Sequence, residues 1–205
     1  MKILLATHNP NKVIELLALL KDHPEIEVLT LTDLNITEEP EETESTFMGN
    51  AQLKARWAAD KSGMISLADD SGLEIDSLDK EPGVMSARYL GKDTPYTIKN
   101  QIILDRLEKV SDRSARFISV VAIASPQSSV SLISNTDIIC CEGIMEGSIA
   151  FHPEGSNGFG YDPIFIPQGF NETYAQMSTE TKNKVSHRGQ AFRKAVIVLT
   201  QGEKP

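Results

Sequence analysis

Two adjacent carboxylates, Asp69 and Asp70, follow an apolar stretch that predicts a short strand over residues 64–68. Ligands of α/β proteins bind beyond the ends of strands, so the pair is a candidate catalytic site. Neighbouring acids repel each other, and a hard cation such as Mg²⁺ would relieve that repulsion. An acidic loop over residues 38–44 could supply a further ligand. A solvated turn and a charged surface loop would give the same pattern, so both interpretations stay open.

The turn over residues 7–12 is a second candidate, because an apolar strand over 3–6 runs there directly into a helix. The free N–H groups of a helix N-terminus attract anions, and Lys12 adds a full charge one turn into the helix. The turn therefore predicts a triphosphate-binding segment. The structural alternative is that Asn9 caps the helix, with Pro10 in its first turn.

A glycine-rich loop over residues 155–163 contains two aromatic residues. Glycine allows the backbone to approach a ligand closely. Phe159 could stack on a flat base, and Asp162 could accept a hydrogen bond from it. The alternative is a rigid turn whose aromatic side chains fill the core.

A basic segment over residues 182–189 precedes the last predicted helix. Lys182 could meet a phosphate, and His187 and Arg188 are donors that could face the 6-oxo group of a purine. A capped surface helix with a basic start is the structural alternative, and Lys54 on an earlier helix is unremarkable by itself. Since neither cysteine has a nucleophile's setting and no GxSxG or HExxH motif is present, we expect attack by a metal-activated water.

The elements that would position these residues alternate between strand and helix, which favours an α/β fold. Helices are predicted at residues 11–22, 46–61, 97–110 and 187–201, and strands at 3–6, 26–31, 64–68, 73–78, 115–124, 130–141 and 163–166.

The chain of 205 residues carries 20 basic and 29 acidic side chains, a net charge of −9. This balance argues against a nucleic-acid partner.

No apolar run approaches the roughly 18 residues of a membrane helix. The N-terminus turns polar too soon for a signal peptide, so we expect a soluble cytoplasmic protein with no membrane partner. The adjacent Cys140 and Cys141 have no metal-binding spacing and predict two reduced strand residues.

Together these segments resemble the inosine/xanthosine triphosphate pyrophosphatases, particularly the bacterial type. Residues 6–12 resemble that family's (S/T)xNxxK opening, and residues 41–55 resemble its acidic loop and following helix. Further blocks follow in the family's order at residues 68–73, 82–89, 158–163 and 186–189, so the resemblance spans nearly the whole chain. His8 and Glu44 stand where glycine is common in the family.

The resemblance implies hydrolysis of deaminated purine nucleoside triphosphates (ITP, dITP and XTP) to the monophosphate and pyrophosphate, which cleans the nucleotide pool. It implies Mg²⁺, a homodimer, and a single domain over residues 1–205. The implied fold is an elongated, two-lobed α/β fold around a long twisted mixed β-sheet flanked by helices, with the active site in the cleft.

The same resemblance implies roles for individual residues. Asp70, with Asp69 beside it, matches the proton acceptor, and Asp70 is also a metal ligand. The second metal ligand maps to Glu42, with Glu41 as the near alternative. The implied substrate-binding residues are Thr7, His8, Asn9, Pro10, Asn11, Lys12, Lys54, Ser71, Phe159, Gly160, Tyr161, Asp162, Lys182, His187 and Arg188.

Two other functions remain open: a pyrophosphatase for modified pyrimidine triphosphates, and a non-catalytic nucleotide sensor. The first predicts pyrophosphate release from dTTP or UTP analogues, and the second predicts binding without release. If Arg188 reads the base, Arg188→Ala is expected to impair ITP hydrolysis far more than it changes thermal stability.

Overall fold

The computed structural model describes residues 1–126 and 138–201. Within these residues the strands are β1 (Lys2–Leu5), β2 (Glu27–Thr30), β3 (Ser66–Ile75), β4 (Ser114–Ala124), β5 (Ile138–Ile149) and β6 (Phe165–Pro167). The α-helices are α1 (Pro10–Leu20), α2 (Phe47–Ser62), α3 (Tyr96–Arg106), α4 (Thr179–Val185) and α5 (His187–Gln201).

The strands form one six-stranded sheet in the order β2-β1-β3-β4-β5-β6. β1 is parallel to both β2 and β3, whereas β5 and β6 are antiparallel. The sheet is therefore mixed, and the predicted α/β class is confirmed.

The chain packs as two units, each with its own apolar core. The first unit comprises the described residues of Met1–Asp70, Ser119–Gly143 and Arg188–Pro205, and the second comprises Ser71–Ile118 and Ile144–His187. In the first core, Leu5 of β1 packs with Leu16 of α1 and Phe192 of α5. In the second core, Phe117 and Phe165 meet edge to face with ring centroids 4.8 Å apart.

Local sequence signals explain where the first two helices begin. Asn9 caps α1 by accepting from two backbone N–H groups, and Pro10 occupies its first turn, as predicted. Thr46 caps α2 in the same way, and Gly63 ends that helix with a left-handed backbone. These caps fix the start of the helices that carry Lys12 and Lys54.

The main difference from the predicted elements concerns the carboxylate pair. The sequence predicted two short strands separated by a turn at residues 69–72, but β3 is one continuous strand of ten residues. Asp69 and Asp70 therefore lie within the strand and not beyond its end. β3 is an interior strand between β1 and β4, and its pairing with β1 covers Ser66 and Leu67. Its place within the sheet outweighs the turn preference of Asp, Ser and Gly.

Other boundaries differ less. β5 continues to Ile149, beyond the predicted end at residue 141, and the predicted strand residues 130–137 lie outside the described part of the chain. The short helix α4 was not predicted. Cys140 and Cys141 are free thiols in β5, as expected, and burial raises the pKa of Cys141 to about 11.

None of the helices in the described ranges combines the length and the hydropathy that crossing a bilayer requires.

Adjacent leucines of α1 provide a test of the first core. Leu16 is fully buried, whereas 46% of Leu17 is exposed. We expect Leu16→Ala to lower the free energy of unfolding by about 2–5 kcal/mol, because it removes buried apolar surface and leaves a cavity. The matched Leu17→Ala variant should change it by less than about 0.5 kcal/mol. Urea denaturation of both variants gives the comparison, and equal losses would contradict the assigned orientation of α1.

Candidate active site

The adjacent carboxylates of β3 face opposite sides of the sheet, because successive side chains of a strand alternate. Asp69 contacts cations from α1 and α5, and Asp70 contacts side chains from α2. Each acid has its own cationic partner. The repulsion that the sequence suggested is therefore relieved within the protein and does not by itself require a metal ion.

On the first face, Asp69 lies in a buried ion-pair network. Lys12 Nζ lies 3.1 Å from Asp69 Oδ1, and Arg188 Nε lies 3.3 Å from Oδ2. Arg188 also pairs with the buried carboxylate of Glu15. Burial alone would raise the pKa of Asp69, but the charges of Lys12 and Arg188 outweigh it and hold that pKa well below its ordinary value. Asp69 is therefore a permanently ionised anchor at neutral pH.

On the second face, Lys54 joins two carboxylates. Its Nζ lies 3.0 Å from Asp70 Oδ1 and 2.7 Å from Glu42 Oε1. The amide of Asn50 donates to Asp70 Oδ2 at 3.4 Å and also to the carbonyl of Glu44, which fixes the acidic loop against α2. Burial raises the pKa of Asp70, although the charge of Lys54 opposes the shift. A raised pKa suits a group that accepts a proton.

The oxygens of Glu42 and Asp70 converge on a single cation, the Lys54 ammonium. Mg²⁺ binds through one or two carboxylates and takes its remaining ligands from water and phosphate, so this donor pair fits it. Over residues 1–126 and 138–201, no group of three or more His, Cys, Asp or Glu side chains forms a metal cage. Glu41 is exposed, whereas Glu42 is half-buried and pairs with Lys54.

In the turn over residues 7–12, several polar side chains accept hydrogen bonds from backbone N–H groups of the same turn. Thr7 Oγ1 accepts from the backbone N–H of Asn9, and Asn9 Oδ1 accepts from the first turn of α1. His8 is exposed, and its backbone N–H donates to the carboxylate of Glu39. The remaining members, Pro10 and Asn11, are exposed at the start of α1. The turn is thus rigid, with Lys12 as its charged group.

In the second unit, the glycine-rich loop is organised by a buried ion pair. Lys182 Nζ lies 2.6 Å from Asp162 Oδ2, and the same carboxylate accepts from the N–H of Phe159 at 2.7 Å. Gly158 has φ of +71°, and a Cβ there would lie 2.1 Å from Asp162 Oδ2, so only glycine fits. Lys182 also lies over the half-buried ring of Phe159, 5.0 Å from its centroid.

The two aromatic residues of the loop have different surroundings. Tyr161 is buried in the core, where its hydroxyl donates to the carbonyl of Ser86. The ring of Phe159, in contrast, is half-buried. His187 is buried and stacks on Phe117 with ring centroids 4.5 Å apart, and Ser71 is half-buried in β3.

The structure therefore gathers the predicted residues into two groups, one in each unit. The first contains Lys12, Lys54, Asp69, Asp70, Arg188 and Glu42, and the second contains Phe159, Asp162 and Lys182.

Two residues that contact members of the first group, Asn50 and Glu15, were missed as site residues. Asn50 is fully buried on the same helical face as Lys54, four residues earlier, and that i,i+4 spacing is a usable sequence signal. Glu15 follows Lys12 by three residues on α1, but its partner Arg188 lies 173 positions away in the sequence. Sequence spacing carries no signal for such a pair.

Comparison with known proteins gives consistent matches over the whole chain. The model of the Ham1 family matches residues 3–197. A dITP/XTP pyrophosphatase of Caulobacter vibrioides is 44% identical over 200 residues, covering 97% of each chain. The structure of a HAM1 protein from Coxiella burnetii superposes with a TM-score of 0.86 at 41% identity, covering 98% of this chain and 99% of that chain. The crystal structure of a nucleoside-triphosphatase / dITP/XTP pyrophosphatase from Mycobacterium abscessus gives 0.71 at 39% identity, covering 98% and 99%.

The buried position of Arg188 changes the expectation for its alanine variant. Arg188→Ala would leave the carboxylates of Glu15 and Asp69 without their shared cation, so we expect it to lower the free energy of unfolding by about 3–5 kcal/mol. Lys184→Ala removes an exposed pair with Glu180 and should cost less than about 1 kcal/mol. Chemical denaturation distinguishes the two, and a loss for Arg188→Ala no larger than that of the control would contradict a structural role.

Proposed function

Because the chain belongs to the Ham1 family, we propose that it hydrolyses deaminated purine nucleoside triphosphates to the monophosphate and pyrophosphate. ITP, dITP and XTP are the proposed substrates, and removal of these damaged nucleotides from the cellular pool is the proposed role. The observation that carries the proposal is the buried cluster around Lys54, in which two carboxylates and an ammonium group converge. This cluster carries two negative charges and one positive charge, so it suits a triphosphate that arrives with a divalent cation.

In the proposed reaction a water molecule attacks the α-phosphorus, and the bond from that phosphorus to the α–β bridging oxygen breaks. Asp70 takes the proton of the attacking water. Pyrophosphate leaves with the bridging oxygen, and the α-phosphate stays on the nucleoside. Lys12 and Lys54 neutralise the negative charge on the phosphates, and preorganised donors of this kind contribute about 3 kcal/mol each.

The two aspartates have different parts in this scheme. Asp69 is held between Lys12 and Arg188, so its charge is committed to keeping these two cations in place. Asp70 has Lys54 as its cation and an amide donor from Asn50, and its burial favours the protonated form. This contrast supports Asp70 as the proton acceptor and Asp69 as the anchor.

We propose Glu42 and Asp70 as the residues that hold Mg²⁺. When bound, Mg²⁺ neutralises phosphate charge and lowers the pKa of a coordinated water. The support is their convergence on one cationic centre, because two such oxygens can also face a divalent ion.

For recognition of the base, the second unit offers Phe159 as a stacking surface and Lys182 and His187 as donors. The 6-oxo group of hypoxanthine and xanthine accepts hydrogen bonds, whereas the 6-amino group of adenine donates them. Buried donors facing adenine would stay unpaired, which can produce strong discrimination. Thr7, Asn9 and Ser71 are proposed as further contacts. A homodimer in the cytoplasm is likewise proposed from the resemblance.

The substrate profile tests the proposed function. Pyrophosphate release would be measured from ITP, XTP, dITP, GTP, ATP and dTTP, each with Mg²⁺ and with EDTA. We expect rapid release from ITP, XTP and dITP with Mg²⁺ only. Release confined to dTTP would identify a pyrimidine-specific enzyme, and tight binding of ITP without release would identify a sensor.

Asp70→Asn is the control for this profile. It preserves the size of the side chain but cannot accept the proton at neutral pH. We expect release to fall to background while the circular-dichroism spectrum stays unchanged. Near-normal activity of this variant would remove Asp70 from the proposed reaction.

A matched pair of adjacent variants tests the assignment of the metal ligand. Glu42→Gln removes one of the two carboxylates that converge on Lys54, so we expect the Mg²⁺ concentration for half-maximal activity to rise about tenfold, in the range that loss of metal-site partners produces. Glu41→Gln changes an exposed neighbour and should leave that concentration unchanged. A Mg²⁺ titration at saturating ITP gives both values, and the opposite ranking would assign the role to Glu41.

A further inference from the structure

Asn100 of α3 holds the glycine-rich loop through one hydrogen bond. Its Nδ2 donates to the backbone carbonyl of Gly160 across 3.2 Å, and Asn100 is buried. Its other polar atom, Oδ1, is buried and has no hydrogen-bond partner within the described residues. Asn100 was not among the residues that the sequence singled out as a candidate for the site.

The half-satisfied amide of Asn100 is informative. A buried acceptor without a partner destabilises the folded state, whereas an apolar side chain of the same size would not carry that penalty. Leucine has nearly the same branched shape as asparagine. An amide at this position is therefore explained by its bond to Gly160 and not by packing.

Tyr96 of the same helix also lies beside Gly160. The φ of Gly160 is +71°, a backbone conformation that favours glycine, and a Cβ there would be in ordinary van der Waals contact with the ring of Tyr96, at 3.6 Å. The Tyr96 ring meets the neighbouring Tyr161 ring edge to face, with centroids 5.2 Å apart. The first two turns of α3 thus fix the backbone carbonyl of Gly160 and the side chain of Tyr161, on the C-terminal side of Phe159.

The residue of α3 that precedes Asn100 supports the surroundings of the loop. Lys99 is fully buried, and its Nζ donates to the carbonyl of Ala87 at 2.8 Å. The preceding carbonyl, that of Ser86, accepts the hydroxyl of Tyr161 at 2.8 Å. α3 is consequently tied both to the loop and to the segment on which Tyr161 rests.

We propose that Asn100 is a positioning residue for purine-base recognition, acting through the Gly160 carbonyl to fix the loop that carries Phe159. The inference rests on the proposed function. It predicts that loss of the Asn100 donor weakens the binding of substrates that carry a purine base and leaves the hydrolysis of the triphosphate intact. A general loss of stability would affect both.

The experiment compares ITP with ribose 5-triphosphate, which has the same phosphates and no base. Asn100→Leu is the principal variant because it keeps the volume and removes the unpartnered acceptor, and Asn100→Ala is the second. We expect KM for ITP to rise about tenfold, equivalent to roughly 1.4 kcal/mol, with kcat little changed. The kcat/KM for ribose 5-triphosphate should change less than about twofold.

Gln101→Ala is the matched control. Gln101 is the adjacent amide on α3, but it is exposed and bonds to Asp105 on its own helix, so its removal should affect neither substrate. Equal losses on ITP and ribose 5-triphosphate in the Asn100 variants would indicate a purely structural role and overturn the proposal. Kinetics identical to those of the control would also overturn it.

Calorimetric binding of ITP separates this inference from the proposed function. If the wild-type protein binds ITP but releases no pyrophosphate, the proposed reaction fails, and a tenfold weaker Kd in Asn100→Leu would still support the positioning role. If the wild-type protein neither binds nor hydrolyses ITP, both proposals fail.

Discussion

The alternation of side chains along β3 is the constraint on which the first unit depends. It sends two consecutive carboxylates to opposite faces, and a buried charge is stable only when another charge compensates it. Asp69 is compensated by Lys12 and Arg188, and Asp70 by Lys54. Within that unit the ion pairs therefore join β3 to α1, α2 and α5, so the groups proposed for catalysis also hold its elements together.

The second unit uses the same physical device on a loop. A glycine-rich segment has high conformational freedom, and ordering it costs entropy. The buried pair of Asp162 and Lys182 offsets that cost by fixing the carboxylate to which the N–H of Phe159 bonds. The exclusion of a side chain at Gly158 follows from the same carboxylate. The glycine at position 158 and the ion pair of Asp162 with Lys182 thus depend on the same carboxylate.

The sequence predicted the features that depend on neighbours along the chain and missed those that depend on distant ones. The cap at Asn9, the start of α2 and the whole of α5 follow from local signals, and each matches the structure closely. The predicted break in β3 at residues 69–72 was wrong, because the continuity of a strand depends on its place beside strands from other parts of the chain. The burial of Glu15 was not predictable, since its cation lies 173 positions away.

The register of β3 also determines which carboxylate meets Lys12 and Arg188 and which meets Lys54. Leu67 pairs with Leu5 of β1 and is buried in the first core, and two residues later Asp69 must face the same side. A shift of one residue would expose Leu67 to the opposite face and exchange the partners of the two acids. The apolar core resists that shift, because the smaller Ser66 or Ala68 would stand where Leu67 packs. Hydrophobic packing therefore favours the register that gives Asp69 and Asp70 their different partners, on which the proposed division of roles between them depends.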